Sequence, residues 1–505
     1  MQIMKYIFII LIFLASVGCG NLDEINLNPD TPTTVTPNFL ATKILLSTTN
    51  RPSSKWLFSD SWLMKSTSFT EHMEWYLYNK FDRGSFNTYS DLIDSKKMVE
   101  LAEANETLPQ GEKNAYQALN YFMRAYVFYN LTMEMGDIPC SDALKGESDG
   151  VFSPKYDTQE EVFKTIISDL QNSSDLFSKA SSLNGDPLFK GDVNLWQRTT
   201  NSFLLRVLNM LSSKQTVGGI NIKTLFEQVA RSPLIENESS SYQRVYDATK
   251  SSQWYPFYYL RQNFWSYPVF TSYFVDMLKD LNDYRLFYYA EPAVSLNGDP
   301  SSYNVYSGVN AVLEFGKIQA EYSTGIHSSI NKRYFRVPQG EPIKFIAYSE
   351  VQFILAEAAL RGWTTPLSAK EHYDNGVRAA MKFTATNTPA EYRHNIDIDD
   401  DYIDSYLNGK ALFKVENGLE QIITQKYIGS FVQIPFNSYY DYRRTGFPTI
   451  PIDPVTNMNE LKDRLPVRWM YPANEYSQNK ENIEEAIQRQ FNGTDTPNDL
   501  MWLLK

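Results

Sequence analysis

Residues 112–136, EKNAYQALNYFMRAYVFYNLTMEMG, decide what kind of fold this chain adopts. The spacing of their apolar side chains, every three or four positions, places them on one face of an α-helix. Gly136 and Pro139 then predict the end of that helix. The stretch is therefore predicted to be a long helix that buries one face. The residues of that face are Ala115, Ala118, Leu119, Phe122, Ala125, Tyr126, Tyr129 and Met133.

The same signals predict further helices along the chain. Thr158 with Glu161 forms a capping box before an apolar run, and Ser368 with Glu371 forms another. Other helices are predicted from apolar spacing, and glycines mark the ends of two of them. They cover residues 204–211 before Gly218, residues 347–358 before Gly362, residues 419–431, and a short piece at 439–443.

The predicted helices come in pairs, with Ala and Tyr where neighbours would cross closely. This arrangement is typical of tetratricopeptide-like helix hairpins, which stack to bury a shared core. A strict 34-residue period is not visible, so a generic α-helical domain is the alternative. The predicted fold class is mainly α, with a helix-pair scaffold at about 90–215 and 345–445.

Residues 216–344 interrupt the helical pattern, which is clear there only around Tyr273 to Leu281. A long irregular stretch inside a folded protein is usually functional or disordered, and its aromatic density argues against disorder. The final segment, 446–505, is predicted to be irregular as well. The acidic run Asp397 to Asp404 is interpreted as a solvated loop, because it lacks the glycine and terminal glutamate of a calcium loop.

The N-terminus has the form of a secretory signal. Lys5 precedes an apolar run from Tyr6 to Val17, and that run is too short to span a membrane. Cys19 stands at the expected cleavage site and resembles the acylated cysteine of a bacterial lipoprotein. We therefore expect a signal peptide at 1–18, a lipid anchor on Cys19 with a tether at 19–38, and one domain at 39–505. The alternative is an ordinary signal peptide with a chance cysteine.

Composition excludes several classes of function. The formal net charge of −12 argues against nucleic-acid binding, which would need a basic surface. It also argues against adsorption to anionic lipids, so membrane association is expected from the lipid anchor alone. Cys140 is the only other cysteine, so no intrachain disulfide is expected if Cys19 is acylated.

No catalytic or metal-binding motif is present in the sequence. The four histidines lack metal-ligand spacing, and there is no nucleophile elbow, phosphate loop or dinucleotide fingerprint. We therefore expect no catalytic residue, no metal and no cofactor. A pair of glycosidase carboxylates stays open, because its geometry is invisible in sequence.

Aromatic residues are the strongest positive feature, at 14% of the chain with 34 Tyr. Of the 36 residues from Trp254 to Tyr289, 15 are aromatic, and a second cluster surrounds Trp75. Exposed rings suit amphipathic ligands such as sugars or peptides, whereas buried rings would fill the core. Trp75 and Trp265 are the first candidates for ligand binding. The others are Tyr76, Tyr78, Trp254 and Tyr267.

Ordered motifs along the whole chain resemble the SusD/RagB family of outer-membrane lipoproteins. They match from Cys19 to the C-terminus, which makes the resemblance highly specific. The motifs are NPDTP at 28–32, GDIP at 136–139, PKYDTQE at 154–160, LNDYRL at 281–286, YSEVQFILAEA at 348–358, EQIITQKY at 420–427 and YRRTG at 442–446.

The resemblance implies a SusD-like fold, with four tetratricopeptide-like helix pairs and long irregular ligand-facing insertions. It implies a protein that captures oligosaccharide, or in some cases peptide, at the cell surface. The partner would be a SusC-like TonB-dependent transporter, over which such proteins lie as a lid. The motifs are expected to be structural, and ligand residues vary among members, so none is transferred to this chain.

Two other functions compete with this interpretation. The first is an exported glycoside hydrolase, which would form products from oligosaccharides. The second is a structural scaffold for a transporter complex that contacts no ligand. The excess of aromatic residues is weak evidence against it.

Overall fold

Helices dominate the computed structural model, which describes residues 35–49, 54–258, 267–433 and 436–505. The helices of eight residues or more are α1 Pro37–Thr49, α2 Ser54–Leu63, α3 Tyr89–Ala104, α4 Gln110–Met135, α5 Gln159–Phe177, α6 Val193–Met210, α7 Ile222–Val229, α8 Ser272–Asp280, α9 Phe315–Ser323, α10 Tyr348–Leu360, α11 Ala369–Thr386, α12 Asp400–Asn408, α13 Gly418–Gly429, α14 Asn437–Thr445 and α15 Lys480–Phe491. Shorter α-helices are Gly146–Asp149, Arg285–Tyr289, Arg333–Arg336 and Glu475–Gln478.

The described strands form small antiparallel two-stranded sheets. These sheets pair β1 Thr67–Phe69 with β5 Pro268–Phe270, β2 Thr216–Val217 with β3 Ile220–Asn221, and β4 Tyr242–Arg244 with β6 Ile343–Ile346. Most of the regular structure is therefore helical, which confirms the predicted fold class.

Consecutive helices pack against each other to build the scaffold. Helices α3, α4, α5 and α6 each contact the next, and α10 packs against α11 and α13. Small residues allow α4 and α5 to approach closely. At one such position, Ser173 Oγ of α5 donates a hydrogen bond to the carbonyl of Ala118 in α4 at 2.8 Å. The predicted stacking of helix pairs is confirmed.

The predicted helix ends are confirmed where the sequence carried capping signals. Thr158 and Ser368 both form complete capping boxes with the glutamates three residues later. Gly136 ends α4 with φ of 96°. A Cβ at Gly136 would lie 2.5 Å from Gln490 Oε1, so both the backbone conformation and the space require glycine.

Two of the motifs meet at the end of α4. Asp137 Oδ1 accepts a hydrogen bond from the backbone N–H of Gln159, the first residue of α5, at 2.8 Å. Its other oxygen lies 2.7 Å from Arg489 Nη2 in α15. Asp157 in turn accepts hydrogen bonds from the backbone N–H groups of Cys140 and Ser141. GDIP and PKYDTQE are thus structural, as expected.

The motifs YSEVQFILAEA, EQIITQKY and YRRTG meet in a buried network of ion pairs around α10. Glu350 pairs with Arg206 of α6 at 2.5 Å, and Glu357 pairs with Arg444 of α14. Burial by itself would raise the pKa of Glu357, but the charges of Arg444 and Arg361 lower it to about 2. The network therefore joins α6, α10, α13 and α14. Its remaining members are Lys426 and Asp441.

The LNDYRL motif is tied to the same scaffold. Arg285 is fully buried and pairs with Asp283, and its Nη2 donates to Gln425 Oε1 of α13 at 2.7 Å. Tyr406 of α12 also donates to Asp283, at 2.8 Å. A buried charge needs such partners, since leaving either side unpaired is costly.

The prediction of an irregular C-terminal segment is wrong for part of it, because α15 lies within residues 446–505. Ile483, Ala486, Ile487 and Phe491 follow helical spacing and are buried. The helical spacing was overlooked in the sequence because charged residues separate these apolar positions and because the rest of the segment is rich in proline.

The acidic run is helical from Asp400 onward, so the predicted loop is wrong for that part, whereas Asp397 lies in the loop before the helix. Asp399 caps α12 by accepting a hydrogen bond from the backbone N–H of Tyr402. Asp400 and Asp404 stay largely exposed, but both pair with Arg378 of α11. Acidic residues stabilise the first turn of a helix through its dipole, which explains their place here.

Several helices were not expected from the sequence. Helix α1 begins at Pro37, within the predicted tether, and buries Leu40, Ile44 and Leu45. Helices α7 and α9 lie in the stretch predicted to be irregular, whereas α8 matches the helical period seen near Tyr273. Residues 1–34, including Cys19 and the predicted signal peptide, lie outside the described residues.

Candidate ligand surface

Three segments from distant parts of the chain converge at one edge of the β1–β5 sheet. Because Phe69 pairs with Pro268, the chain after β1 and the chain before β5 lie at the same edge. The backbone N–H and the hydroxyl of Thr70 both donate to the carbonyl of Tyr267 at 3.0 Å. Gln319 Nε2 of α9 donates to the carbonyl of Thr70 at 2.8 Å. Side-chain and backbone hydrogen bonds thus hold these loops together.

A fourth segment, from the C-terminal part of the chain, joins them. The backbone N–H of Met458 donates to the carbonyl of Tyr78 at 2.8 Å. Thr456 Oγ1 donates to the carbonyl of Val312 at 2.7 Å. Asn79 Nδ2 donates to Asn457 Oδ1 at 3.3 Å. We call the region formed by residues 70–80, 267, 312–319 and 453–461 the loop surface.

Buried polar side chains make the loop surface rigid. Lys65 Nζ donates to Asn79 Oδ1 at 2.9 Å and also to the carbonyl of Leu77. Burial lowers the pKa of Lys65 to about 7. Asn79 has φ of 55°, a left-handed conformation that asparagine adopts more readily than most residues. The turn that carries Trp75 is therefore fixed from below.

Trp75 presents an aromatic ring to solvent on this surface. Its exposed fraction is 46%, and the neighbouring Met73 is also exposed. Lys80 Nζ lies 3.9 Å from the centroid of the indole, within cation–π distance. Trp75 thus offers a large apolar face with a positive charge beside it.

Tyr76 is only partly available. Its ring packs edge-on against Phe81 and Phe436, and its hydroxyl accepts a hydrogen bond from Trp469 Nε1 at 3.1 Å. Burial raises the pKa of Tyr76 to about 12, so the phenol stays protonated near neutral pH. Tyr76 supports the surface and exposes little of itself.

Tyr78 does not have the exposed position that a ligand contact would need. Only 4% of it is exposed, and its hydroxyl donates to the carbonyl of Leu313 at 3.0 Å. The reason is the short 3₁₀ turn Tyr76–Tyr78, which points Trp75 outward and Tyr78 into the core. Tyr78 therefore joins the loops and leaves the ligand face to its neighbours.

The other candidates lie in different settings. Tyr267 is half-buried, with its ring 5.7 Å from that of Phe69. Trp254 is also half-buried, and its Nε1 donates to the carbonyl of Ala248 at 2.9 Å within the loop after β4. That loop is not part of the loop surface. Trp265 lies outside the described residues.

Most of the rings that the structure describes in the aromatic-rich stretch fill the core. Phe257 stacks on Phe58 at 5.3 Å, Phe58 stacks on Trp62, and Trp62 lies 5.7 Å from Phe69. This row of rings lies beneath the β1–β5 sheet and supports it. The core-filling alternative therefore holds for many of these rings. Examples with little or no exposure are Tyr255, Phe257, Phe270, Phe274, Phe287 and Tyr288.

The C-terminal part of the loop surface was not predicted from the sequence. Val455, Met458 and Leu461 expose apolar side chains there. Asn457 organises this segment, because its Nδ2 donates to the carbonyls of Lys462 and Arg464. Its Asp-Pro and Asn-rich composition is typical of a turn, a signal that could have indicated a structured loop.

The chemistry of the loop surface suits binding by stacking and hydrogen bonding. It combines the Trp75 ring with exposed apolar side chains and with polar groups such as His72 Nε2, which lies 2.8 Å from Glu74 Oε1. Within the described ranges, no group of three His, Cys, Asp or Glu side chains is placed to hold a metal ion.

Comparisons with known proteins identify the family to which this fold belongs. A family profile described as "Starch-binding associating with outer membrane" matches residues 29–472. The chain therefore belongs to the SusD-like family. Members of this family are nutrient-binding proteins that associate with the outer membrane, and the resemblance inferred from the motifs is confirmed.

Solved structures support the same assignment. A SusD homologue from Bacteroides fragilis is 40% identical, with a TM-score of 0.88, over 93% of this chain and 100% of that chain. A protein from Bacteroides vulgatus, whose description links it to the outer membrane and nutrient binding, is 31% identical with a TM-score of 0.83. That match covers 93% of this chain and 100% of that chain.

More distant structures share the fold. One, described as a chitin-binding protein, is 23% identical with a TM-score of 0.74 and is matched over its whole length by 93% of this chain. No curated protein sequence matches this chain significantly. Among the helices of the described residues, none combines the length and apolar character needed to cross a bilayer.

Proposed function

We propose that this protein is a cell-surface lipoprotein that captures an oligosaccharide and delivers it to a SusC-like TonB-dependent transporter. The capture site is the loop surface. The observation that carries the proposal is the exposed Trp75 on a turn fixed from below by Lys65 and Asn79. Family membership supports the role in nutrient binding and the place at the outer membrane.

The energetics favour Trp75 as the main contact. An indole side chain has two χ angles and loses little conformational entropy when a ligand stacks on it. Each Å² of apolar area that the ligand covers contributes about 25 cal/mol. The rigid turn lowers the cost further, because the ring is already in place before the ligand arrives.

The ligand of this proposal is an oligosaccharide, and a peptide is the alternative. The flat faces of sugar rings stack on an exposed indole such as that of Trp75. The solved relative described as a chitin-binding protein supports the choice of a glycan.

The binding test compares two exposed aromatic residues. Trp75→Ala should reduce the affinity for oligosaccharide at least tenfold, with the melting temperature nearly unchanged. Phe152→Ala is the matched control, because Phe152 is exposed but lies outside the loop surface. Isothermal titration calorimetry against a panel of oligosaccharides measures the affinity. Equal loss in both variants, or no loss in Trp75→Ala, would contradict the proposal.

The same experiment separates binding from catalysis. We propose that the protein is not an enzyme, so oligosaccharides incubated with it should be recovered intact. Chromatography of the incubated sugars would reveal products if it were a glycoside hydrolase. A peptide panel in the same calorimeter tests the peptide-binding alternative.

The membrane anchor of the proposal is a lipid on Cys19, with the folded part facing the cell exterior. Cys19→Ala should release the protein from the membrane fraction, because the lipid is the expected source of attachment. Fractionation of cells that carry each form decides this, with Cys140→Ala as the matched cysteine control. A Cys19→Ala protein that stays with the outer membrane would count against the anchor.

The transporter partner is testable by copurification. A tagged wild-type protein solubilised from the outer membrane in mild detergent should bring down a TonB-dependent transporter. Recovery of the protein without any transporter, from membranes that contain one, would argue against the lid role.

A further inference from the structure

A cavity lies on the helical scaffold, between helices α3, α4 and α5 and the loop that follows the GDIP motif. Its volume is about 500 Å³, which is within the range of small-molecule sites. None of its lining residues belongs to the loop surface. The side chains that matter most for the argument are Lys96, Asn120, Arg124, Ala143 and Leu144.

Two neighbouring helices bring hydrogen-bond donors to this cavity. Asn120 and Arg124 are four residues apart in α4, so they lie one turn apart on the same helix face. Lys96 belongs to α3, which packs against α4. All three residues line the cavity, which therefore has an amide, a guanidinium and an ammonium group on its walls.

Arg124 keeps free donors although it already has one partner. Its Nε lies 3.1 Å from Asp169 Oδ2 of α5, and this contact uses one of the five donors of the guanidinium. Its two Nη atoms have no hydrogen-bond partner among the residues that the structure describes. The side chain is 36% exposed, so these atoms are not sealed in the core. A planar guanidinium binds a carboxylate with two parallel hydrogen bonds, and Arg124 still has the donors for them.

Lys96 and Asn120 supply further donors. Lys96 Nζ donates to the carbonyl of Leu144 at 3.4 Å and has no carboxylate partner within the described ranges. Asn120 Oδ1 accepts a hydrogen bond from Ser95 Oγ at 2.9 Å, while its Nδ2 has no acceptor in the same ranges. An ammonium group has three donors and a side-chain amide has two. The free donors on the two helices therefore favour a ligand that accepts several hydrogen bonds at once.

The charges around the cavity favour a ligand with one negative charge. The cationic lining residues are Lys96, Arg124 and Lys145, and the acidic lining residue is Asp149. Asp169 and Asp142 each pair with one of these cations and offset part of the positive charge. Burial raises the pKa of Cys140 to about 12, so the thiol that lines the cavity stays neutral and does not repel an anion. A singly charged carboxylate therefore fits better than a doubly charged phosphate.

An apolar wall gives the cavity more room than a carboxylate alone needs. Ala143 and Leu144 form this wall and are half-buried. Leu144 has φ of 63°, a left-handed conformation that is costly for a bulky residue and persists only where its surroundings hold it. Asp157 holds the start of this loop, because it accepts hydrogen bonds from the backbone N–H groups of Cys140 and Ser141. The wall is thus in place before a ligand arrives.

We propose that this cavity binds a small carboxylate that carries an apolar group. The carboxylate accepts hydrogen bonds from the Nη atoms of Arg124 and from Lys96 Nζ, and Asn120 Nδ2 is a further donor. The apolar group packs against Ala143 and Leu144. This site is separate from the loop surface and gives the protein a second class of ligand.

The test titrates the full-length protein with 3-phenylpropanoate, 3-phenylpropan-1-ol and acetate in a calorimeter at neutral pH. Phenylpropanoate should bind at least tenfold more tightly than either of the others, because only it carries both a carboxylate and an apolar group. Equal affinity for the alcohol would remove the role of the carboxylate, and equal affinity for acetate would remove the role of the apolar group. Either result, or no binding of phenylpropanoate at millimolar concentration, overturns the proposal.

Variants then locate the site. Lys96→Met should weaken phenylpropanoate binding at least tenfold, because it removes a charged donor and keeps the length of the side chain. Lys97→Met is the matched control and should bind normally, since Lys97 is exposed, pairs with Glu100 and does not line the cavity. Circular dichroism checks that Lys96→Met folds.

Arg124→Lys is the second variant. It retains a positive charge for Asp169 but removes the planar fork, so phenylpropanoate binding should again fall at least tenfold. Trp75→Ala should still bind phenylpropanoate, so failure of this site and failure of the loop surface are distinguishable. Unchanged binding in both Lys96→Met and Arg124→Lys would place phenylpropanoate elsewhere and overturn the assignment.

Discussion

The scaffold and the loop surface use the same aromatic residues in opposite ways. Trp196 of α6 is fully buried, stacks on Phe177 and donates its Nε1 hydrogen bond to Asp186 at 2.9 Å. Trp75 on the loop surface is nearly half exposed, with Lys80 against its ring. Two residues of the same type thus have different roles. The role of each tryptophan depends on how many apolar elements pack around its ring.

The two regions also differ in what holds them together. The scaffold uses helical hydrogen bonds and a buried network of charges around Glu350 and Glu357. The loop surface uses individual side-chain hydrogen bonds, from the buried Lys65 and from neutral residues such as Thr70 and Asn79, to carbonyls and amides of distant loops. Loops lack a regular ladder of hydrogen bonds, so side chains must satisfy their buried backbone groups.

The largest effect is expected in the charged network of the scaffold. Glu357→Ala should lower the free energy of unfolding by about 3–5 kcal/mol, because it leaves Arg444 and Arg361 without their buried carboxylate. Chemical denaturation measures this value. Glu484→Ala removes an exposed partner of Lys480 and should cost less than about 0.5 kcal/mol. Similar values for the two variants would show that the network does not stabilise the scaffold.

The next effect should come from the buried side of the loop surface. Tyr78→Ala should cost about 3–4 kcal/mol, since it removes a buried ring and the hydrogen bond to Leu313. Trp75→Ala, three residues away, should cost less than about 0.5 kcal/mol, because its ring is largely in solvent. Thermal and urea unfolding of both variants would test whether the contrast in burial is real. A Trp75→Ala protein as unstable as Tyr78→Ala would assign Trp75 to the core.

A pH effect is expected at Asp60 of α2, between the scaffold and the loop surface. Burial raises the pKa of Asp60 to about 7, although hydrogen bonds from Ser438 and Tyr439 oppose this rise. The folded state therefore holds a proton that the unfolded state releases near pH 4. The stability that this proton provides is complete below pH 4 and is lost as the pH rises through 7.

Comparison with a variant isolates this effect. Between pH 4 and pH 7, wild type should lose about 3 kcal/mol of stability relative to Asp60→Asn. Urea unfolding at several pH values measures the difference, and Asp401→Asn on the exposed side of α12 is the control. A constant difference between wild type and Asp60→Asn across this window would mean that Asp60 does not bind a proton in the folded state.

The smallest effect on stability should be at Thr70. Thr70→Val keeps the shape but removes the hydroxyl that donates to the carbonyl of Tyr267, at a cost of about 1 kcal/mol. Because this bond holds the loop of Trp75, oligosaccharide affinity should fall as well. Calorimetric titration measures the affinity of the variant for oligosaccharide, and thermal unfolding measures its stability. A variant that loses stability but keeps full affinity would show that the loop is positioned by its other contacts.

Local features of the fold were predictable because they depend on neighbouring residues. The apolar spacing of α4, the capping boxes at Thr158 and Ser368, and the glycine at 136 all act within a few residues. The family resemblance was recoverable for a related reason. Its motifs contain buried charges such as Arg285 and Glu357, which can function only with specific partners.

The candidate surface was only partly predictable. Trp75 was identified from aromatic clustering, but the same criterion also selected the buried Tyr78. Exposure depends on which distant elements cover a residue, and this information is absent from a local pattern. The contributions of Met458 and Gln319 were missed for the same reason.

The sequence by itself determined the helical class, most of the scaffold helices and the family to which the chain belongs. Only the tertiary structure decided that residues near 70, 267, 313 and 458 form one surface. The physical reason is distance along the chain. Helix periodicity and capping arise from contacts over a few residues, whereas loop convergence and burial arise from contacts between segments hundreds of residues apart.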